Sequence, residues 1–371
     1  MNLRAHRWVI FLLSLTLIAS AQDAPEDVAA LLEPIRAAHA LPGMAAAAMK
    51  GGRLVAIGAT GLRKANGKEP VTADDKWHIG SCTKSMTSTL AAMLVEQGKM
   101  AWDTKVGAVF TEYRESIEPG WNNITLEQLL AHRGGAPAEP PANLWRTAWA
   151  TMGTPTEQRR RFVEGLLLRR PEKVGEFVYS NQGYAIAGAM IERVTGRAWE
   201  DLMRERIFTP LLMSRAGFGA PATVGKTDQP WGHTGEALTL APVPPGPKAD
   251  NPPAIGPAGT VHCSVRDLVR YAGWHVREGR GAATLLKPAG FAKLHTPIGG
   301  DPGYSLGWAV ADRPWGGKVL THAGSNTMFY AVIWISPEKD AAFVAATNAA
   351  GEAATKACDE AIAAMIARVL K

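Results

Sequence analysis

The stretch "WHIGSCTK", residues 77 to 84, sets Ser81 and Lys84 three apart, immediately ahead of the run "SMTSTLAAMLVEQG". On a helix, positions i and i+3 share a face. The Ser81 hydroxyl and the Lys84 ammonium can therefore meet on one side of a cleft. A helix start also supplies unpaired backbone N–H groups that favour developing negative charge, which suits an alkoxide or a tetrahedral oxyanion at Ser81. Lysine at its ordinary pKa of roughly 10.4 is a poor base near neutrality. Burial or a neighbouring cation depresses that value and gives the serine a route to activation. Serine and lysine are nevertheless common at exposed helix starts, and the spacing decides nothing alone.

Working outward, residues 81 to 97 have Met86, Leu90, Met93 and Leu94 on one helical face, with Gly98 where a C-terminal cap belongs. Upstream, "GMAAAAMKGGRLVAIGATG" predicts two strands turning at Gly51 and Gly52, where glycine reaches positive φ without a side-chain clash. Before it, Val28, Leu31, Leu32 and Ile35 predict an amphipathic helix with a bend at Pro34. Downstream, residues 99 to 235 read as helices and loops, with "TLEQLLAH", "PTEQRRRFVEGLLLR" and "NQGYAIAGAMIERVTG" as the clear helical units. Seven prolines between Pro242 and Pro257 predict an irregular ordered loop.

After the helical "SVRDLVRYAGWHV", strand signals return in "YSLGWAVA", "KVLTHAG", "FYAVIWISP" and "AAFVAATNA", and the chain closes on a helix in "ATKACDEAIAAMIARVL". The expectation is an α/β chain of the α+β type: an antiparallel sheet with strands from both ends, flanked by terminal helices, with a mostly helical insertion. The sheet region covers about 22–76 and 300–371 and the helical region about 77–299, within a single hydrolase domain over 22–371. An active site is expected between the two regions.

The first 21 residues stand apart. Arg4 and Arg7 precede the 11-residue apolar stretch "WVIFLLSLTLI", and "ASA" ends at Ala21. This reads as a secretory signal peptide cut before Gln22, since a spanning helix needs roughly 20 apolar residues. The mature chain is expected to be exported, periplasmic or secreted. Its formal charge falls from +6 to +4 when Arg4 and Arg7 leave.

The remaining basic residues are scattered, and "QRRRF" at 158 to 162 reads as a solvated helix face, so no nucleic-acid partner is expected. Cys82, Cys263 and Cys358 permit at most one bridge and have no zinc-site spacing. Cys82 reads as a buried neighbour of the serine.

Two further clusters give Ser81 and Lys84 company. In "FVYSNQGYAIAG", Tyr179 can exchange a proton with Ser81 where a lysine charge stabilises its phenolate, and Asn181 can orient Lys84 or donate to a substrate carbonyl. Alternatively this is a core-edge tyrosine beside a helix cap. In "LTHAGSNT", Gly324 lets substrate approach the backbone, the Ser325 N–H can join that of Ser81 as an oxyanion hole, and His322 can donate to substrate or support the tyrosine. An ordinary strand and turn is the alternative there.

"IGSCTKSMT", "YSNQGYAIAGAMIERVTGRAWEDLMRERIFTPLLM", "PAGTVHCSVRDLVRYA", "GYSLGWAV" and "HAGSNTMFYAVIWISPEKD" occur in this order. Together they resemble the serine β-lactamase-related family of class C β-lactamases, penicillin-binding DD-peptidases and family VIII carboxylesterases, across roughly residues 27 to 365. The resemblance implies a β-lactamase/DD-peptidase-like fold. It implies Ser81 as the acylated nucleophile, Lys84 as its proton partner, Tyr179 as general base and acid, and Asn181 as a substrate and network contact. His322, Ala323 and Gly324 fall where many relatives have Lys-Thr-Gly, and Ser325 where the second oxyanion N–H is expected. "LLAHRGGAP" resembles the family's Leu-Leu-Thr-His-Thr-Ser-Gly segment and reads as a loop beside the cleft.

The departures bear on substrate. A lysine in the third motif is a permanent cation for a β-lactam or peptide carboxylate, whereas a histidine is neutral much of the time at pH 7. Met328 and Phe329 stand where many relatives have glycine, and Leu212 interrupts the family's Pro-Leu-Gly-Met. Trp145, Trp149 and Trp231, with the proline-rich loop, are candidates for an apolar wall over the cleft.

The expected function is an exported serine acyl hydrolase of the carboxylesterase kind, working through an acyl-serine on a small ester or amide and needing no metal or organic cofactor. The alternatives are a β-lactamase or D-Ala-D-Ala carboxypeptidase, and a catalytically weak wall-binding or regulatory protein.

Overall fold

The computed structural model describes residues 24–113, 115–150, 152–235, 239–278, 285–300 and 303–371. The expected signal peptide lies outside them. A seven-stranded sheet runs in the spatial order Glu26–Asp27, Arg53–Gly61, Gly43–Lys50, Ala341–Thr347, Tyr330–Ser336, Gly317–Ser325 and Ala309–Arg313. Every neighbouring pair is antiparallel except the first, where Glu26 and Asp27 run parallel to Ala56 and Ile57. The hairpin turns at Gly51 and Gly52, with φ of 58° and 73°, as a tight turn with two left-handed residues requires.

The two ends of the chain meet at the sheet's centre, where Ala341–Thr347 pairs with Gly43–Lys50 in the register Ala345 to Ala46. Alanine dominates both strands, so helices can approach closely. On one face Leu32 of the Ala29–Ala38 helix and Ala357, Ala361 and Met365 of the Glu352–Val369 helix pack on Ala46, Ala48, Phe343 and Ala345. On the other, the Val265–Val276 helix, capped by Ser264, comes near enough that a Cβ on Gly273 would fall 2.7 Å from the Met49 sulfur.

Beyond that face lies the helical region. Its centre is the Thr83–Glu96 helix, preceded by a 3₁₀ turn over Gly80–Cys82. Ser81 therefore sits in the turn rather than in the α-helix. The helix is also buried on all sides from Thr83 to Leu94, not on one face. Its threonines and serines tolerate this by bonding inward, as in Thr87 Oγ1 to Pro257 O at 2.7 Å and Thr89 Oγ1 to Ser85 O at 2.9 Å.

Thr125 and Thr154 make capping boxes with Gln128 and Glu157 at the starts of Leu126–Leu130 and Pro155–Leu167, each cap worth about 1 kcal/mol. Arg159 corrects the reading of "QRRRF" as a solvated face. It is fully buried, bridging Glu192 and Glu200 at 2.5 Å each, while Arg160 and Arg161 are exposed.

The proline-rich segment holds two short 3₁₀ turns, Pro247–Ala249 and Pro253–Ile255, before the Gly256–Gly259 helical turn. Cys82, Cys263 and Cys358 are all free and buried. No described helix is long and apolar enough to cross a membrane.

Candidate active site

Ser81, Lys84, Tyr179 and Asn181 converge where the Thr83–Glu96 helix meets the start of the Asn181–Thr195 helix. The second helix begins there because Ser180 is its N-cap, its hydroxyl accepting from Gly183 N at 3.2 Å. This leaves Tyr179 in the extended segment before the helix and Asn181 in its first turn.

Lys84 is fully buried. Its Nζ donates toward three oxygens: Ser81 Oγ at 3.0 Å, Asn181 Oδ1 at 2.7 Å and Ala258 O at 2.9 Å. It also lies 4.8 Å from the centre of the Tyr179 ring. Loss of hydration in this enclosed site lowers its pKa from 10.5 to about 7. Near neutrality a substantial fraction of Lys84 is therefore the free amine, and the short link to Ser81 Oγ can then run in reverse, with the hydroxyl donating to Nζ.

Tyr179 is 38% exposed along the cleft. Its hydroxyl end is enclosed enough that burial raises its pKa above 10.0, against a smaller opposing pull from its hydrogen bond with Ser81. The phenol is thus protonated at pH 7.

Ser325 ends the Gly317–Ser325 strand, along which Ala323 and Ser325 are exposed and His322 and Gly324 are buried. The strand presses on the Ser81 turn backbone to backbone. A Cβ on Gly80, whose φ is 48°, would fall 2.2 Å from Ser325 N; one on Gly324 would fall 2.1 Å from Ile79 O and 2.5 Å from Ser81 N. These two glycines let the backbone at Ser81 and the backbone at Ser325 approach more closely than any side chain at either glycine would allow.

His322 differs from the expected substrate donor. It is 7% exposed, with Nδ1 2.6 Å from Ala323 O and Nε2 3.1 Å from the Tyr304 hydroxyl. A carbonyl only accepts, so Nδ1 carries the proton and Nε2 accepts from Tyr304. Burial, then the positive field of Lys84, pushes its pKa to about 3. His322 is a neutral ring beneath the cleft, with both nitrogens engaged inside the protein.

His132 was not singled out by sequence reasoning, which took "LLAHRGGAP" as loop structure. It brackets Tyr179: its carbonyl accepts from Val178 N at 2.8 Å and its Nδ1 from Ser180 N at 3.0 Å. The two rings lie 4.3 Å apart. The loop holds His132 in the left-handed region at φ 59°, and Arg133 ties it down through Ile298 O, Gly175 O and Gly299 O. Ala258 was invisible for another reason: it contributes a carbonyl, which any residue has.

Met328 and Phe329 are buried in the core rather than projecting over Ser81. Trp145 and Trp149 stack edge-on with each other at 5.8 Å, whereas Trp231 is tied to Lys226 O and Arg63 O; no described contact joins either group to Ser81. Among the described residues no group of three or more His, Cys, Asp or Glu is placed to hold a metal ion.

With this geometry in view, the likenesses to known proteins are specific. The chain is 28% identical over 293 residues to "Penicillin-binding protein 4" of Amycolatopsis lactamdurans, covering 76% of this chain and 74% of that one. It is 28% identical over 168 residues, 41% of each chain, to "Lovastatin esterase" of Penicillium rubens. Its fold matches the octameric penicillin-binding protein homologue from Pyrococcus abyssi with a TM-score of 0.74 at 24% identity, over 91% of this chain and 76% of that one. The profile of the Beta-lactamase family matches residues 28–365, nearly the whole described chain, and the protein belongs to that family of serine hydrolases.

Proposed function

We propose that the protein is an exported serine acyl hydrolase of the carboxylesterase kind, working through an acyl-Ser81 intermediate. The observation that carries this reading is the enclosed Lys84 ammonium, 3.0 Å from Ser81 Oγ and with a pKa brought down to about 7. In the amine form, Lys84 is a base matched to neutral pH.

Ser81 Oγ attacks the substrate carbonyl carbon. Its proton passes to Lys84 Nζ, directly or through the Tyr179 phenol, which takes the Ser81 proton as it releases its own. With its pKa held high, Tyr179 is a better relay than a resident phenolate, so the initial base is Lys84. The carbonyl oxygen becomes an alkoxide held by the Ser81 and Ser325 N–H groups, each such donor worth roughly 3 kcal/mol in the transition state. Collapse breaks the bond to the leaving oxygen, which takes the proton back from Tyr179 and Lys84. Water, deprotonated along the same route, then releases the acid and restores Ser81.

Esters are favoured because the third-motif position holds the neutral His322, with its pKa at about 3, in place of a fixed cation for a substrate carboxylate. The second reading, a D-Ala-D-Ala carboxypeptidase or β-lactamase, is favoured by the similarity to "Penicillin-binding protein 4". Brief exposure to p-nitrophenyl butyrate followed by mass spectrometry tests the mechanism: a butyryl adduct on Ser81 is expected, and turnover persisting in Ser81→Ala would overturn it. Parallel assays with a chromogenic cephalosporin and a D-alanyl-D-alanine peptide decide between the two substrate readings.

A further inference from the structure

We infer that Asp250 and His78 form a buried buckle that holds the two oxyanion-hole amides at their working separation. They are positioning residues for the acyl transfer proposed above, and the inference rests on that reading. His78 ends the short Trp77–His78 strand and is fully buried. Its Nδ1 accepts from Gly80 N at 3.1 Å, at the residue just before Ser81. With Nδ1 an acceptor, the ring proton of the neutral imidazole is on Nε2, which lies 2.5 Å from Asp250 Oδ1. The two atoms touch without the alignment of a hydrogen bond, so Asp250 holds the His78 ring in place by close contact.

The same Asp250 oxygen accepts from Asn251 N at 2.6 Å and faces Asn326 Nδ2 at 3.4 Å. Asn326 directly follows Ser325 and is itself buried; its Oδ1 accepts from Met328 N at 3.2 Å and Phe329 N at 2.9 Å. One carboxylate thus reaches the residue before Ser81 through His78 and the residue after Ser325 through Asn326. Between these anchors, Gly80 and Gly324 press together with no room for a Cβ.

The cost of this arrangement is visible. Asp250 is 5% exposed, and its Oδ2 is buried without a described partner. A buried carboxylate with an unpaired oxygen is destabilising, and such departures from best packing are expected where a fold serves a site. The device lies in the proline-rich segment, whose two 3₁₀ turns flank Asp250. Holding a donor pair matters because transition-state stabilisation falls steeply as donors move from the developing charge.

The test is kcat per active site, with sites counted from the p-nitrophenol burst, in Asp250→Ala, Asp250→Asn and Asn326→Asp. Asp250→Ala is expected to lower kcat per titrated site at least about tenfold with KM within about twofold. Asp250→Asn keeps an acceptor and should retain activity within about threefold. Asn326→Asp keeps the acceptor for Met328 and Phe329 but loses the donor facing Asp250, and should fall like Asp250→Ala. A merely structural role would reduce the burst amplitude and leave kcat per site unchanged, and that result overturns the buckle. If Asp250→Ala yields no folded protein, the Asn326→Asp result alone decides. Failure of the wild-type chain to give any burst on Ser81 would instead sink the acyl-enzyme reading itself.

Discussion

Lys84 Nζ sits 3.0 Å from Ser81 Oγ in a site where the lysine has no exposure to water. Activity should therefore follow the amine form of Lys84. Its pKa is about 7 in the folded chain, so kcat/KM for a neutral ester is expected to rise with pH through about 7 and then level. A profile rising only above pH 9 would place the base elsewhere. Lys84→Arg, which stays charged at any working pH, should lower kcat by about 10³ or more.

His322→Lys would put a second cation beside Lys84. Repulsion should move the rising limb of the pH profile to lower pH by about one unit, and the cephalosporin-to-ester activity ratio should rise by about tenfold through attraction for the substrate carboxylate. An unchanged ratio would overturn the charge argument for esters.

Removing the His132 ring should loosen Tyr179 without touching Ser81. In His132→Ala the Ser180 N–H loses its acceptor, at a cost of about 1–3 kcal/mol, measurable by urea denaturation. Ser81 should still be acylated by an activated ester, with turnover about tenfold slower. His132→Asn, which suits the left-handed backbone and can accept a hydrogen bond, should recover part of both losses.

Gly324→Ala meets Ile79 O and Ser81 N at distances no real Cβ adopts. The strand must move off the Ser81 turn, separating the two amides. A fall in kcat of about 10² is expected, in the range for losing one oxyanion donor; wild-type kcat in this variant would remove Ser325 N from the mechanism.

Arg159→Met should be among the most destabilising single changes away from the site. It strands the buried Glu192 and Glu200 without their cation. A loss of about 3–5 kcal/mol is expected for breaking such a network, and a shift in urea midpoint would measure it.

Much of this architecture is legible in the amino-acid sequence. The hairpin at Gly51 and Gly52, the terminal helices and the late strands follow from period and punctuation, because each is decided by neighbours in sequence. The convergence of Ser81, Lys84, Tyr179 and Asn181 was legible through the order of several motifs, since the 97 residues separating Lys84 from Asn181 carry no spacing rule. What stayed hidden depends on tertiary surroundings: Arg159 reads like its exposed neighbours, Ala258 acts through its backbone, and His132 and His322 have roles set by which rings and carbonyls close around them. Ser81 stands two residues ahead of the α-helix rather than at its first position, a difference the sequence hides because a 3₁₀ turn and an α-helix start share the same residue preferences.

The pairing of Gly43–Lys50 with Ala341–Thr347 joins segments about 300 residues apart at the centre of the sheet. Closing so long a loop costs entropy before any contact rewards it, so the sheet cannot be completed during synthesis until nearly the whole polypeptide has emerged. Refolding from denaturant should be slow and should compete with aggregation. A chain cut before Ala341 loses the middle strand, leaving two separate sheet fragments with two new unpaired edges, at Gly43–Lys50 and Tyr330–Ser336, rather than a smaller version of the same protein.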